Sequence, residues 1–225
     1  MAQNLKVLRR KSASDHGLAT IKALLNAIPT LGGPLASLIG DYVPTSTQRA
    51  IEKTVDHLSE RIASLEGRID IEQVNKEEFS ELFKSCYLVV IRSHRDEKLR
   101  AAAALLANLL LRPGDPQKLS YEELDHFVRC LDALSIGAIA VLGAARHVAI
   151  TFPAGTQGQF HFPQLAAMFP HYEPSFLVSL ATELQSLNLL QMQDGTIRLP
   201  DHGAALVEIT PIGRRFADRF LDWKT

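Results

Sequence analysis

The sequence predicts a mainly α protein: an N-terminal helical bundle followed by a C-terminal winged-helix (α+β) domain. Three observations predict it. Apolar residues recur at three- and four-residue spacing through most of the chain between residues 51 and 146, which is the period of a helix with one buried face. Between Phe160 and Phe220 a short helix, a turn, a longer helix, an Asp-Gly hairpin and a closing helix follow one another in winged-helix order. Arg112-Pro-Gly-Asp-Pro is the clearest linker, and it sets two expected domains, residues 1–112 and 119–225.

Composition bounds the function classes. A chain of 225 residues with 46% hydrophobic content has enough apolar surface for a core in each domain. A formal charge of -1 argues against a protein that coats nucleic acid, while leaving room for a local basic patch. Cys86 and Cys130 are far apart, and each sits in an apolar helical pattern, so buried thiols in a reducing compartment are expected rather than a disulfide. The expected location is the cytoplasm, peripheral to the inner membrane if the N-terminal segment engages lipid.

Lys6, Arg9, Arg10 and Lys11 precede any acid and form a basic arm, read either as a solvated end or as a contact for phosphates. Ala23 to Gly40 carry no charge for eighteen residues, nominally enough to cross a bilayer. Pro29, Gly32, Gly33 and Pro34 break that run into two short apolar helices, about Leu18 to Ala27 and Leu35 to Tyr42. Two readings stand: a hairpin buried in the bundle, or a segment that contacts a membrane or partner through Leu18, Leu25, Ile28, Leu31, Leu35 and Ile39.

After a start at Tyr42-Val-Pro-Thr-Ser-Thr, Ile51, Val55, Leu58, Ile62, Leu65 and Ile69 form an a/d seam, either packed within the chain or shared with a second copy. Asn75 with Glu78, and Ser120 with Glu123, have capping-box spacing. Ala101 to Leu111 is apolar all round except for Asn108, so this helix belongs at the bundle centre, with the amide bonded to a neighbour. Ser135 caps the helix Ile136 to Arg146, the first of the winged-helix unit.

In that unit Pro163 opens a short helix with Leu165, Met168 and Phe169 on its apolar face. Phe176, Leu177, Leu180, Leu184 and Leu187 mark the recognition helix, and Asn188 is its left-handed cap. Asp194-Gly195 turns the candidate wing, flanked by Leu189 to Gln193 and Thr196 to Leu199. Ala205 to Thr210 returns to the sheet, and Ile212, Phe216 and Phe220 stripe the last helix. From His147 through Ile197 there is no Lys or Arg, and the recognition helix carries Glu173 and Glu183. DNA affinity depends on cations that displace counterions along the phosphates, so DNA is disfavoured as a partner. Its contacts would be Gln185 to bases and Arg198, Arg214 and Arg215 to backbone.

No metal, nucleophile or phosphate-loop motif is present, which favours a non-enzymatic protein with no cofactor, no metal and no catalytic residues. His161 and His171 flank the short helix as polar end positions rather than as a metal pair. Arg92, His94, Arg95, Asp96 and Glu97 are the densest polar cluster, read as a charged helix junction with a phosphate or catalytic pocket as the alternative.

Glu208-Ile-Thr-Pro-Ile-Gly-Arg-Arg-Phe resembles the join between wing and last helix in PadR-like and MarR-like winged-helix proteins. Ala27-Ile-Pro-Thr-Leu-Gly-Gly-Pro-Leu, the amphipathic helix after it, Asp96-Glu-Lys-Leu-Arg and Leu105-Leu-Ala-Asn-Leu-Leu are similar to bacterial abortive-infection proteins of the Abi-alpha type. That resemblance implies a bacterial cytoplasmic protein tied to phage defence, and it transfers no catalytic residue. The expected function is non-enzymatic defence or regulation through a protein partner or homo-oligomer, with a membrane as a further partner of the hairpin. The alternative is a winged-helix transcriptional regulator.

Overall fold

The computed structural model describes residues 45–65, 67–70, 72–154, 158–192 and 205–221. These residues contain eight helices and one three-stranded antiparallel sheet, and they gather into two compact units that divide between Asp132 and Ala133. The basic arm and the apolar hairpin expected over Leu18 to Tyr42 lie outside them.

In the first unit, α1 (Thr45–Ser64), α2 (Lys76–Arg92), α3 (Asp96–Leu109) and α4 (Tyr121–Ala133) follow in order. α3, apolar from Ala101 onward except for Asn108, packs on α1 and α2. Leu99 on it is fully buried, and so are Ala101, Ala102, Leu105 and Ala107, as the apolar stretch after Arg100 requires. On α1 the seam residues Leu58 and Ile62 are buried, with Leu65 just beyond its end. The seam does not run on to Ile69 as its spacing suggested. The helix stops at Ser64, Gly67 takes a φ of 78°, and Ile69 pairs in an isolated antiparallel bridge with Leu111. A left-handed residue ends a helix whatever the apolar period beyond it.

The Ser120 and Glu123 pair closes its capping box, whereas Asn75 caps α2 and Glu78 meets its side chain instead of its backbone N–H. The Asn75 side chain accepts from the backbone N–H of Glu77 and Glu78 and donates to Glu78 Oε1 at 2.9 Å. Ser120 Oγ accepts from Glu123 N, and Glu123 Oε2 accepts from Ser120 N, each at 3.2 Å.

Residues 112 to 119 are more than a linker. Asn108 Nδ2 donates to the Gln117 carbonyl at 2.8 Å, and Leu119 N donates to Asn108 Oδ1 at 2.9 Å. Asp115, itself buried, takes both ends of the Arg68 guanidinium, at 2.9 and 2.7 Å. These bonds hold the loop against the bundle, and α4 follows it. Arg92 Nη1 reaches the Asp132 carboxylate at 2.7 Å, and Lys98 Nζ donates to the Asp132 carbonyl at 3.2 Å. The two compact units divide at the end of α4, beyond this loop.

Hydrogen bonds from Arg68 and from the Gln117 backbone lower the Asp115 pKa from 3.8 to about 2. A carboxyl depressed in the folded state stabilises it above the ordinary pKa, and that contribution is lost as pH falls through the folded value. Asp115→Asn is therefore expected to lower the urea midpoint at about pH 7 and to converge with wild type as pH falls from about 4 towards 2. Parallel curves across that window would reject the pair as a stabilising contact.

In the second unit the order is α5 (Ile136–Thr151), β1 (Gln159–His161), α6 (Phe162–Ala166), α7 (Pro174–Ser186), β2 (Leu190–Met192), β3 (Leu206–Ile209) and α8 (Pro211–Phe220). The sheet runs β1-β3-β2, antiparallel throughout. Register puts Phe160, Val207 and Met192 in one buried row and Gln159, Glu208 and Gln191 in a polar row, as pleating demands of a sheet with one covered face. Strand β1 was not anticipated, since three residues are too few for alternation to register. The Asp194-Gly195 turn and Thr196 to Leu199 lie outside the described residues.

Leu177, Leu180, Ala181 and Leu184 of α7 face inward, and α7 packs on α5. A Cβ added to Gly137 would meet the Leu180 methyls at 3.1 Å, so the bare backbone there permits close approach. Asn188 ends this stretch with a φ of 56°, as its position after the helix led us to expect. Thr210 Oγ1 then donates to the Asn188 carbonyl at 2.7 Å and accepts from Gly213 N at 2.9 Å, capping α8. Arg146 grips Asp218 through two hydrogen bonds of 2.7 and 2.8 Å, which join α5 to α8.

Cys86 and Cys130 are buried free thiols. Burial raises both pKa values, that of Cys130 to about 11 against the opposing charge of Arg129, so neither is held as a reactive thiolate.

Candidate functional site

The polar cluster Arg92 to Glu97 divides among structural partners. Arg92 turns to Asp132, as described above. Asp96 Oδ1 meets His57 Nε2 at 2.9 Å, and its Oδ2 accepts from Arg100 Nε at 2.6 Å. These bonds lower the Asp96 pKa even though partial burial opposes them. Two acceptor atoms engaged by two partners describe a helix junction, in which α1 is tied to the first turn of α3. His94, Arg95 and Glu97 are left at the surface. Among the described residues, no three His, Cys, Asp or Glu side chains stand close enough to share a metal ion. His161 and His171 are both exposed, and the His161 backbone N–H donates to Gln164 Oε1 at 3.0 Å.

The residues named for DNA contact are not gathered into one surface by any contact described. Gln185 is half-buried, and its Oε1 is shut off from solvent without a hydrogen-bond partner among the described residues. Arg214 and Arg215 follow one another on α8, the first half-buried and the second exposed, and the Arg214 guanidinium lies beside Gly158 at the start of β1. Arg198 lies outside the described residues, as do Leu18, Leu25, Ile28, Leu31, Leu35 and Ile39. No single described helix is long and apolar enough to cross a membrane.

Charge on α7 is also placed differently from its sequence reading. The Glu183 carboxylate, on a half-buried residue, is engaged by Ser135. It accepts from both Ser135 N–H and Ser135 Oγ, the latter at 2.9 Å, while Ser135 Oγ accepts from Ala138 N at 3.1 Å. An acid at the N-terminus of α5 satisfies donors that the helix leaves unpaired and complements its dipole. Pro174, Ser175, Phe176, Ser179, Thr182 and Ser186 are the fully exposed positions of α7, an uncharged face.

At the entry to that face stands an aromatic cluster. Phe169 stacks on Tyr172 with ring centroids 5.3 Å apart and planes 13° from parallel. Tyr172 meets Phe176 edge-on, again at 5.3 Å, with an interplanar angle of 75°. Such pairs contribute about 0.5–1.5 kcal/mol beyond their burial, which holds the rings in place although they are wet. Tyr172 is 39% exposed, Met168 47% and Phe176 50%. Helical spacing had assigned Met168 and Phe176 to inward faces. Leu177, Leu180, Ala181 and Leu184 already fill the inner stripe of α7, and Phe176 stands about 100° round from Leu177. Apolar identity alone does not separate the centre of a stripe from its edge. The signal present in the sequence was proximity: three rings within eight residues, interrupted by Pro170 and Pro174 and accompanied by no cation.

No family model, curated protein or solved structure matches the chain.

Proposed function

We propose that residues 136–220 form a winged helix that works by protein–protein contact, within a non-enzymatic protein of bacterial defence or regulation. Support for the winged helix is the order helix, strand, helix, helix, strand, strand, helix, together with the β1-β3-β2 sheet order. The observation that carries the contact reading is the ring cluster of half-buried Phe169 with exposed Tyr172 and Phe176, next to the exposed Met168 in the chain. It occupies the place where a DNA reader presents cations and where an interface presents aromatic and Met side chains. The defence role rests on the Abi-alpha resemblance in the sequence.

Mobility-shift assays with DNA from the protein's own upstream region test this reading. We expect no specific shift at about 0.15 M salt, because no Lys or Arg stands between His147 and Ile197 to keep phosphate contacts through screening. A specific shift that survives this salt and is lost in Arg214→Gln/Arg215→Gln would replace the contact reading with the regulator reading.

A further inference from the structure

We infer that the face formed by Met168, Tyr172, Glu173 and Phe176 binds the basic segment Leu5–Lys11 of a second copy of this chain. The inference rests on the protein-contact reading above and names the partner. The face offers two exposed rings, a thioether and one exposed carboxylate. With no Lys or Arg anywhere from His147 through Ile197, a cation arriving there meets no like charge from this stretch. Rings of Tyr and Phe attract a guanidinium or ammonium placed over them, and Arg in particular stacks on such faces.

Leu5-Lys6-Val7-Leu8-Arg9-Arg10-Lys11 has the complementary chemistry. It places four cations among three aliphatic side chains, with no acid before Asp15. The aliphatic groups suit Met168 and the edge of Phe176, while the cations suit the ring faces and Glu173. A phosphate-rich partner finds no such complement on this face: DNA and anionic lipid both lack the cation it attracts.

The test is a fluorescence anisotropy titration of a labelled peptide of residues 1–17 into the full-length chain. That chain carries Lys6→Glu, Arg9→Glu, Arg10→Glu and Lys11→Glu, so its own arm does not compete. Saturable binding is expected. Adding Tyr172→Ser and Phe176→Ser should weaken it about tenfold, and a peptide with the same four cations reversed should not bind. Both aromatic residues are exposed, and circular dichroism checks that the doubly substituted chain keeps its fold. Absence of saturable binding, or an affinity that ignores Tyr172→Ser and Phe176→Ser, overturns the inference. The mobility-shift assay on the unsubstituted chain separates the two failures. No peptide binding with no DNA shift removes only this partner, whereas a specific DNA shift removes the contact reading as well.

Discussion

Gly213→Ala is expected to destabilise the second unit strongly. A Cβ at this position would stand 1.9 Å from the Leu189 carbonyl oxygen, 2.7 Å from its carbon and 3.1 Å from its Cα. Every one of those atoms is backbone, so no rotamer change relieves the clash. The same few residues hold the cap of α8, since Gly213 N donates to Thr210 Oγ1 and Thr210 N donates to the Leu189 carbonyl at 3.2 Å. Displacing Leu189 therefore disturbs the cap as well as the packing. The loss should reach about 3 kcal/mol, the upper end for an overfilled core, and lower the unit's thermal midpoint by more than about 10 °C. Gly114→Ala is the control. Gly114 has a φ of 83° but nothing within 4 Å of an added Cβ, so only backbone strain of about 1–2 kcal/mol is expected. Calorimetry that found the two substitutions equally mild would contradict the close approach at Leu189.

Asn108→Ala should be the most damaging single truncation of a polar side chain in the first unit. Its amide answers one donor and one acceptor of a loop that cannot form a ladder, the Leu119 N–H and the Gln117 carbonyl, and the residue is only 7% exposed. The buried Leu119 N–H left unpaired costs about 1–3 kcal/mol, while the carbonyl of the exposed Gln117 regains water, which makes a loss of about 1–3 kcal/mol. Asn108→Asp sharpens the test. The carboxylate still accepts from Leu119 N–H but turns an oxygen towards the Gln117 carbonyl, where only a donor fits. Its protonated form restores that donor, so the variant's folded pKa should rise above the ordinary value. Its destabilisation should then be fully present above the folded pKa and shrink as pH falls through it. Urea unfolding across that range checks the sign, and a deficit independent of pH would show that Asn108 does not donate to Gln117.

Local chemistry was legible wherever it depends on near neighbours in the chain. The Asn75 cap, the Ser120 capping box, the Ser135 cap, the left-handed Asn188 and the strand at Leu206–Ile209 each depend on residues within a few positions of one another. So did the burial of α3 beyond Arg100, because a stretch apolar all round has only one stable place. Legibility failed where two segments distant in sequence compete for the same group. Asp115 lies in a stretch that reads as a linker until Arg68, from the other side of α2 and α3, reaches it. Glu183 reads as a surface charge until Ser135 takes both of its oxygens.

The candidate site follows the same rule. The sequence by itself determined that the stretch around α7 has no cation and is rich in aromatic side chains, because composition is a property of the chain alone. Only the tertiary structure decided which apolar residues of that stretch stay wet. Helical periodicity fixes the direction of a side chain on its own helix, whereas burial depends on what the neighbouring elements place opposite it. Leu177, Leu180, Ala181 and Leu184 fill the inward stripe of α7, and Phe176, one residue away from Leu177, is left at the surface with Tyr172.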